Sequence, residues 1–271
     1  MKPFLKWAGN KFAIIHRILG QLPEGNTLIE PFVGSAAVFL NSHYPNAVLG
    51  DNNPDLIHLY QLMKTHGDEV LQTAKALFTE ATNTEATYYT LRAQFNQLDA
   101  SNHPFEKAAL FIYLNKHGYN GLCRYNQQGK YNVPFGRYKK PYFPEKEMIA
   151  FIEKIQTAHI RNSDFESTMK LAQPGDVIYC DPPYYPLSPT ANFTSYSRER
   201  FGIQEQVRLA EVAFELSQNG VHVVISNHDT PFTQAVYRGA SIVPFDVQRN
   251  ISCRGDQRNK ARELLALYRS A

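Results

Sequence analysis

Thr27-Leu28-Ile29-Glu30-Pro31-Phe32-Val33-Gly34-Ser35-Ala36-Ala37-Val38-Phe39-Leu40, followed after a short gap by Ala47-Val48-Leu49-Gly50-Asp51, decides the fold. Thr27 to Glu30 is a short apolar strand. It runs into a turn around Gly34, and Ala36 to Leu40 then has helical character. The second strand ends in an acid, and Asn52-Asn53-Pro54-Asp55 opens a further helix with Asn or Asp as its cap. Strand, glycine turn, helix, strand, acid is the order of a nucleotide-binding βαβ unit.

Downstream of this unit, residues 56 to about 115 repeat their apolar positions at helical spacing: Leu56-Ile57, Leu59-Tyr60, Leu62-Met63, then Tyr88-Tyr89, Leu91, Phe95, and finally Ala108-Ala109, Phe111-Ile112, Leu114. Residues 118 to 138 change character. Glycines punctuate short segments, and Tyr125-Asn126, a Gln-Gln-Gly-Lys turn and Tyr131-Asn132-Val133 predict a β-hairpin. After about residue 145 strands and helices alternate again, with buried-strand runs at Asp176-Val177-Ile178-Tyr179-Cys180 and Val221 to Ser226, and an amphipathic helix from Gln204 to Ser217. Such alternation predicts a doubly wound, mostly parallel α/β sheet. The middle of the chain reads as an insertion: 1–56 and 145–271 form the α/β domain, and 57–144 a helical unit carrying the hairpin.

Composition narrows the classes. Hydrophobic residues are 43% and charged residues 20% of 271, which excludes a disordered or fibrous chain. No apolar run approaches the ~18 residues of a membrane span, so no membrane partner is expected. Met1-Lys2-Pro3-Phe4-Leu5-Lys6-Trp7 has no apolar signal core, and Cys123, Cys180 and Cys253 are scattered, with no disulfide or zinc spacing. A cytoplasmic protein with reduced thiols and no metal is expected. The net charge of +3 says little, but residues 116–140 hold six Lys or Arg and no acid, interleaved with Tyr119, Tyr125, Tyr131, Phe135 and Tyr138. Basic charge among aromatics suits phosphate contact and base stacking; a solvated hairpin with core aromatics is the alternative.

Asp181-Pro182-Pro183-Tyr184 follows directly on the strand run 176–180, at the strand end where open α/β sheets place ligands. Two prolines stiffen the loop and remove two N–H groups, so its carbonyls are left to accept. Acceptors beside an aromatic plane fit the exocyclic amine of a flipped planar base. A proline-rich surface turn would have the same four residues.

Together these blocks resemble the Dam-type DNA adenine N6-methyltransferases, GATC-specific and of α-class motif order. The resemblance rests on Phe4 to Gly9 with Lys11; Glu30 to Gly34; Asn115 with Gly118 to Asn126 and Asn132 to Tyr138; Asp181 to Tyr184 with Ala191 to Thr194; and Ile225 to Asp229. It covers essentially the whole chain, and the 118–138 block is the most specific part. It implies a Rossmann-like methyltransferase with an inserted DNA-recognition domain at 57–144, S-adenosylmethionine as methyl donor and double-stranded DNA as partner. A monomer, in the cytoplasm with the nucleoid, is expected.

The resemblance also implies roles. Asp181 and the Pro182 carbonyl accept from the N6 amine, and Tyr184 stacks on the extruded adenine. Around the cofactor stand Gly34, Trp7 and Lys11 of the N-terminal segment, Asp51 at the ribose, Asp164 and Phe165 at the cofactor adenine, and Asp181 itself. The family turn is Phe-x-Gly-x-Gly, and this chain has Ala36 at the second glycine; where the family has Gly-Gly it has Gly9-Asn10. For DNA, Tyr119 and Asn120 enter the space the adenine leaves. Leu122 and Pro134 touch a thymine methyl, Arg124 pairs with one guanine and Lys6 reads the other, with Tyr138 at the edge of the surface. Lys139 and Lys140 read as phosphate contacts. Arg249, Arg254, Arg258, Lys260 and Arg262 read either as backbone contacts or as a solvated helix face. Competing readings are an amino-methylase with another target, a protein-glutamine methylase (disfavoured because it uses Asn in place of Asp181), a DNA-binding regulator without catalysis, and a nicotinamide dehydrogenase, which lacks its full glycine fingerprint here.

Overall fold

The computed structural model describes residues 1–186, 201–248 and 260–270. Among these the chain forms one sheet of seven strands: β1 (Thr27–Glu30), β2 (Asn46–Asp51), β3 (Ala158–Asn162), β4 (Val177–Cys180), β5 (His222–His228), β6 (Ser241–Gln248) and β7 (Lys260–Tyr268). Their order is β3-β2-β1-β4-β5-β7-β6. β1 to β5 run parallel, and β7 lies antiparallel between β5 and β6. The expected mostly parallel, doubly wound sheet is present. β4 is buried at every position, as a strand covered on both faces must be, so its sequence shows no alternation.

Helices fill the connections: α1 (Ile15–Leu19), α2 (Ala37–Asn41), α3 (Pro54–Lys75), α4 (Glu85–Gln97), α5 (Pro104–His117), α6 (Glu145–Lys154), α7 (Phe165–Met169), α8 (Ile203–Gln218) and α9 (Pro231–Val236). α3 starts where the sequence places its cap. The Asn53 side chain accepts from the Asp55 and Leu56 N–H groups, and Pro54 fills the first turn, where its missing N–H costs nothing. None of the described helices is long and apolar enough to cross a membrane.

Alternate residues of each strand feed two cores. Leu28, Leu49 and Tyr179 join Phe4, Tyr60, Met63 and Phe151, and this cluster runs on without a break to Phe95, Phe111, Tyr131 and Val133. Residues 57–144 therefore share a core with the sheet. Ile29, Ile178, Val223 and Leu264 join Leu209, Ala213 and Met169 on the other face. Fully burying one such side chain stabilises the fold by about 1.5–3 kcal/mol.

Two expectations need correction. Of the basic C-terminal run, the described Lys260 and Arg262 lie not on a helix but in β7, which pairs on both sides. The hairpin of 118–138 is not a regular ladder. Only the bridges Gly118–Phe135 and Tyr125–Tyr131 form, because Asn120, Gly121, Gly129 and Arg137 take positive φ and break the extended run. β3 and β6 also escape a reading from pattern. β3 exposes most of its residues, and β6 carries Pro244, which an edge strand tolerates.

The sheet order reverses between β1 and β4, so their carboxyl ends flank the switch point where α/β sheets bind ligands. Glu30, Asp51, Asp181 and Ser226 to His228 all sit at that end. The turn after β1 carries strain: Ala36 caps α2 in the left-handed region, at φ 58°, ψ 32°, and is fully buried. Glycine adopts this conformation freely and alanine does not. Ala36→Gly is expected to raise unfolding stability by about 1 kcal/mol, measured by urea denaturation; an equal or lower stability would show that the methyl's packing outweighs the strain.

Candidate active site and nucleic-acid interface

Asp181 leaves the end of β4 and meets two partners. The Lys11 ammonium lies 2.7 Å from its Oδ1, and Ser226 Oγ, on neighbouring β5, donates to the same oxygen at 3.0 Å. Burial pushes the Asp181 carboxyl above the usual range, and Lys11 and Ser226 oppose that rise. Lys11 is itself buried, donates to the Gly9 carbonyl at 2.5 Å and stands 4.5 Å above the Tyr184 ring. Tyr184 donates its hydroxyl to Glu263 of β7 at 3.2 Å. Its ring meets His228 edge-on, with centroids 4.9 Å apart. Pro182 is buried and Pro183 exposed. An ammonium thus sits against a carboxylate and an aromatic face, two features a flat amine-bearing ring would also use.

The glycine turn lies one strand away. Gly34 has φ +46°, and a Cβ there would come within 2.8 Å of Trp7 Nε1, so only glycine lets the indole close over the turn. Asp51 ties the turn to β2: its Oδ2 accepts from Gly34 N at 3.1 Å and its Oδ1 from Asn53 N at 3.0 Å. Burial raises the Asp51 carboxyl to about 6, against those N–H donors, which lower it. Tyr60 donates to the Gly34 carbonyl at 2.7 Å. Asp164 follows β3 at the same end, but its carboxylate is engaged in capping α7, accepting from Glu166 N and Ser167 N. Phe165 is buried, stacked on Phe32 with centroids 5.5 Å apart and facing the Arg208 guanidinium at 4.5 Å. A close-approach glycine, an acid at the next strand end and an overlying indole fit a nucleoside-bearing cofactor.

Residues 7–251 match the family described as D12 class N6 adenine-specific DNA methyltransferase. The chain belongs to that family. Among its relatives, the DNA adenine methylase of Escherichia coli strain K12 is 48% identical over 268 residues, covering 99% of this chain and 95% of that protein. The DNA adenine methylase of Serratia marcescens is 48% identical over 269 residues, 99% of this chain and 98% of that one. That of Vibrio cholerae O1 El Tor Inaba N16961 is 47% identical over 268 residues, 98% and 96% respectively.

In this D12-class chain the N-terminal segment and the irregular hairpin form one surface. Asn115 of α5, buried, accepts from Lys6 N at 2.9 Å and donates to Lys6 O at 2.7 Å. Lys6 packs on Gly121, which has no room for a Cβ, and its ammonium lies 4.0 Å over the Tyr138 ring. Asn120, at φ 53°, donates its backbone N–H to Tyr138 Oη at 3.0 Å. Tyr119 is half exposed, and Pro134 is exposed beside it, its carbonyl accepting from Tyr119 N at 2.8 Å. Leu122 is half-buried against the main core. Arg124 is oriented by Asn132, donating from Nε at 2.7 Å and Nη2 at 3.2 Å, which uses two of its five donors. Lys6 and Asn120, next to Tyr119, both meet Tyr138.

Several residues at the site were not assigned roles from sequence. Ser226 lies within the 225–229 block but had no role there, and Glu263 carries no local signal; register brings them to Asp181 and Tyr184. Lys11, expected at the cofactor, meets Asp181. Ala191 to Thr194, Arg249, Arg254, Arg258 and Cys253 lie outside the described residues. Glu30, at the end of β1, is buried and its Oε1 accepts from Phe39 N at 2.6 Å. Burial raises its carboxyl to about 8, with Asp181 adding to the rise and the Phe39 N–H opposing it. A carboxyl raised in the folded state gives stability that is complete below its unfolded pKa and lost as pH rises through the folded one. Glu30→Gln removes that loss. The variant is expected to gain on the wild type between pH ~4.5 and ~8, by at most about 1.4 kcal/mol per pH unit, in urea melts across pH. A difference independent of pH would contradict the buried, protonated carboxyl.

Proposed function

We propose that this chain transfers a methyl group from S-adenosylmethionine to N6 of a flipped adenine within GATC in double-stranded DNA, acting as a monomer. The observation that carries the reading is the Lys11 ammonium on Asp181 and over Tyr184: the same acceptor and ring face suit an adenine amine. Membership of an N6 adenine-specific family agrees. When bound, S-adenosylmethionine supplies an already activated methyl.

The protein's task is then alignment and charge stabilisation. Asp181 and the Pro182 carbonyl accept the two N6 hydrogens, turn the nitrogen lone pair toward the methyl, and stabilise positive charge as it develops on nitrogen, until the methylated nitrogen releases one of those two hydrogens as a proton to solvent. Tyr184 holds the adenine plane by stacking. Lys11 withdraws from Asp181 Oδ1 as the base enters, so the ammonium and the neutral adenine amine do not share the acceptor. Gly34, Asp51 and Trp7 hold the cofactor, with Asp164 and Phe165 at its far side. Residues 57–144 serve as the recognition unit, completed by Lys6 from outside that range. Tyr119 and Asn120 fill the vacated space, Arg124 and Lys6 read guanines, and Leu122 and Pro134 read a thymine methyl. Lys139 and Lys140 contact phosphate. A palindromic target presents one adenine at a time, so symmetry in the DNA does not require a dimer. The chain works beside bacterial or phage DNA in the cytoplasm.

The test is plasmid DNA incubated with protein and S-adenosylmethionine, then digested with nucleases that distinguish methylated from unmethylated GATC. Protection confined to GATC is expected. Arg124→Ala is expected to lose about 1–3 kcal/mol of discrimination at one guanine position and little elsewhere. Methylation without GATC protection would overturn the target. Equal weakening on all sequences would make Arg124 a phosphate contact.

A further inference from the structure

The loop that carries the proposed chemistry is held from behind by a buried polar chain that touches neither base nor cofactor. Gln206 on α8 and Asn227 on β5 are both essentially without solvent exposure, as is the Tyr237 ring after α9. Gln206 Nε2 donates to the Pro183 carbonyl at 2.9 Å. Gln206 Oε1 accepts from the Tyr237 hydroxyl at 2.9 Å and from Asn227 Nδ2 at 3.1 Å. Asn227 Nδ2 also donates to Tyr237 Oη at 2.8 Å, and Asn227 Oδ1 accepts from Tyr185 N at 3.0 Å.

The polarity of this chain admits only one arrangement. The Pro183 carbonyl demands the amide nitrogen of Gln206, which turns its oxygen to the Asn227 nitrogen and the Tyr237 hydroxyl. Tyr185 N–H demands the oxygen of Asn227. Reversing either amide sets donor against donor or acceptor against acceptor. The two ends of the chain grip the carbonyl before Tyr184 and the N–H after it, so both peptide planes flanking that residue are fixed. His228 Nδ1, 2.7 Å from the Tyr185 carbonyl, adds a third point on the same strand. Of the two proline carbonyls, Pro183's is taken inward. No described residue donates to that of Pro182.

We infer that Gln206, Asn227 and Tyr237 are positioning residues for methyl transfer. They hold the Asp181–Tyr184 loop so that Tyr184 presents its face and the Pro182 carbonyl is left for the amine. The inference rests on the proposed methyl transfer. A ring or carbonyl displaced by about 1 Å is enough to cost up to 10²-fold in rate. Because none of the three touches substrate, the loss falls on kcat and not on KM.

The experiment compares wild type, Gln206→Met and Tyr237→Phe on a GATC duplex. It reads kcat, KM for DNA and for S-adenosylmethionine, thermal midpoint, and the fluorescence of 2-aminopurine at the target adenine, which stacking on Tyr184 quenches. Gln206→Met keeps the length and loses the amide; Tyr237→Phe removes a single oxygen and keeps the ring, so it decides the matter should the first variant not fold. Folded variants are expected to lose at least about tenfold in kcat, to keep both KM values within about twofold, and to show brighter 2-aminopurine in the complex. Unchanged kcat and quenching in a folded variant, with the wild type active, would overturn the positioning role alone. A wild type that methylates no duplex would overturn the methyl-transfer reading and this inference with it.

Discussion

A carboxylate at the end of a central strand has lost much of the water that would keep it charged, and Asp181 depends on what replaces that water. Lys11 supplies the counter-charge and Ser226 a hydroxyl donor, against a burial that raises the carboxyl. An unpaired buried charge is costly, whereas a paired and hydrogen-bonded one is tolerated. The lysine that meets this need sits in the N-terminal segment, and the ion pair therefore fastens that segment across the carboxyl end of the sheet. From the same stretch Trp7 covers the Gly34 turn and Lys6 reaches Asn115, Gly121 and Tyr138. Residues 6 to 11 thus touch Asp181, the glycine turn and the hairpin surface at once.

The sheet topology gives this arrangement its remaining walls. Parallel β1, β2, β4 and β5 present their ends together, so Glu30, Asp51, Asp181 and Ser226 to His228 converge without any long-range design in the loops. The antiparallel β7 then brings Glu263 opposite His228, and Tyr184 finds a partner for its hydroxyl. One reversed strand is what lets an acid from near the C-terminus reach the loop after β4.

Much of this was readable in the residues. The run 27–51 carries its own order of strand, turn, helix, strand and acid, and Asn53-Pro54 announces a helix start, because local chemistry sets these features. Asp181-Pro182-Pro183-Tyr184 identifies itself by following a fully apolar strand. β3, β6 and β7 were hidden for a different reason: an exposed strand lacks alternation, and an antiparallel strand inserted between two others is a fact of pairing, not of pattern. The hairpin was legible as a turn but not as an irregular one, since Asn120 and Arg137 take positive φ that their residue types do not announce. Ser226 and Glu263 have meaning only through register. Lys11 could be placed in the right segment from the resemblance, but not against Asp181, because that contact depends on how the segment folds back.

Methyl transfer depends on where the target amine is held. The most direct measurement is the structure of this chain with a GATC duplex and a non-transferable analogue of the methyl donor. The adenine is expected out of the helix, its N6 within hydrogen-bond distance, about 3 Å, of both the Asp181 carboxylate and the Pro182 carbonyl, its ring on Tyr184, and Lys11 moved off Asp181 Oδ1. An adenine bound with N6 away from Asp181, while Lys11 keeps its ion pair, would contradict this placement.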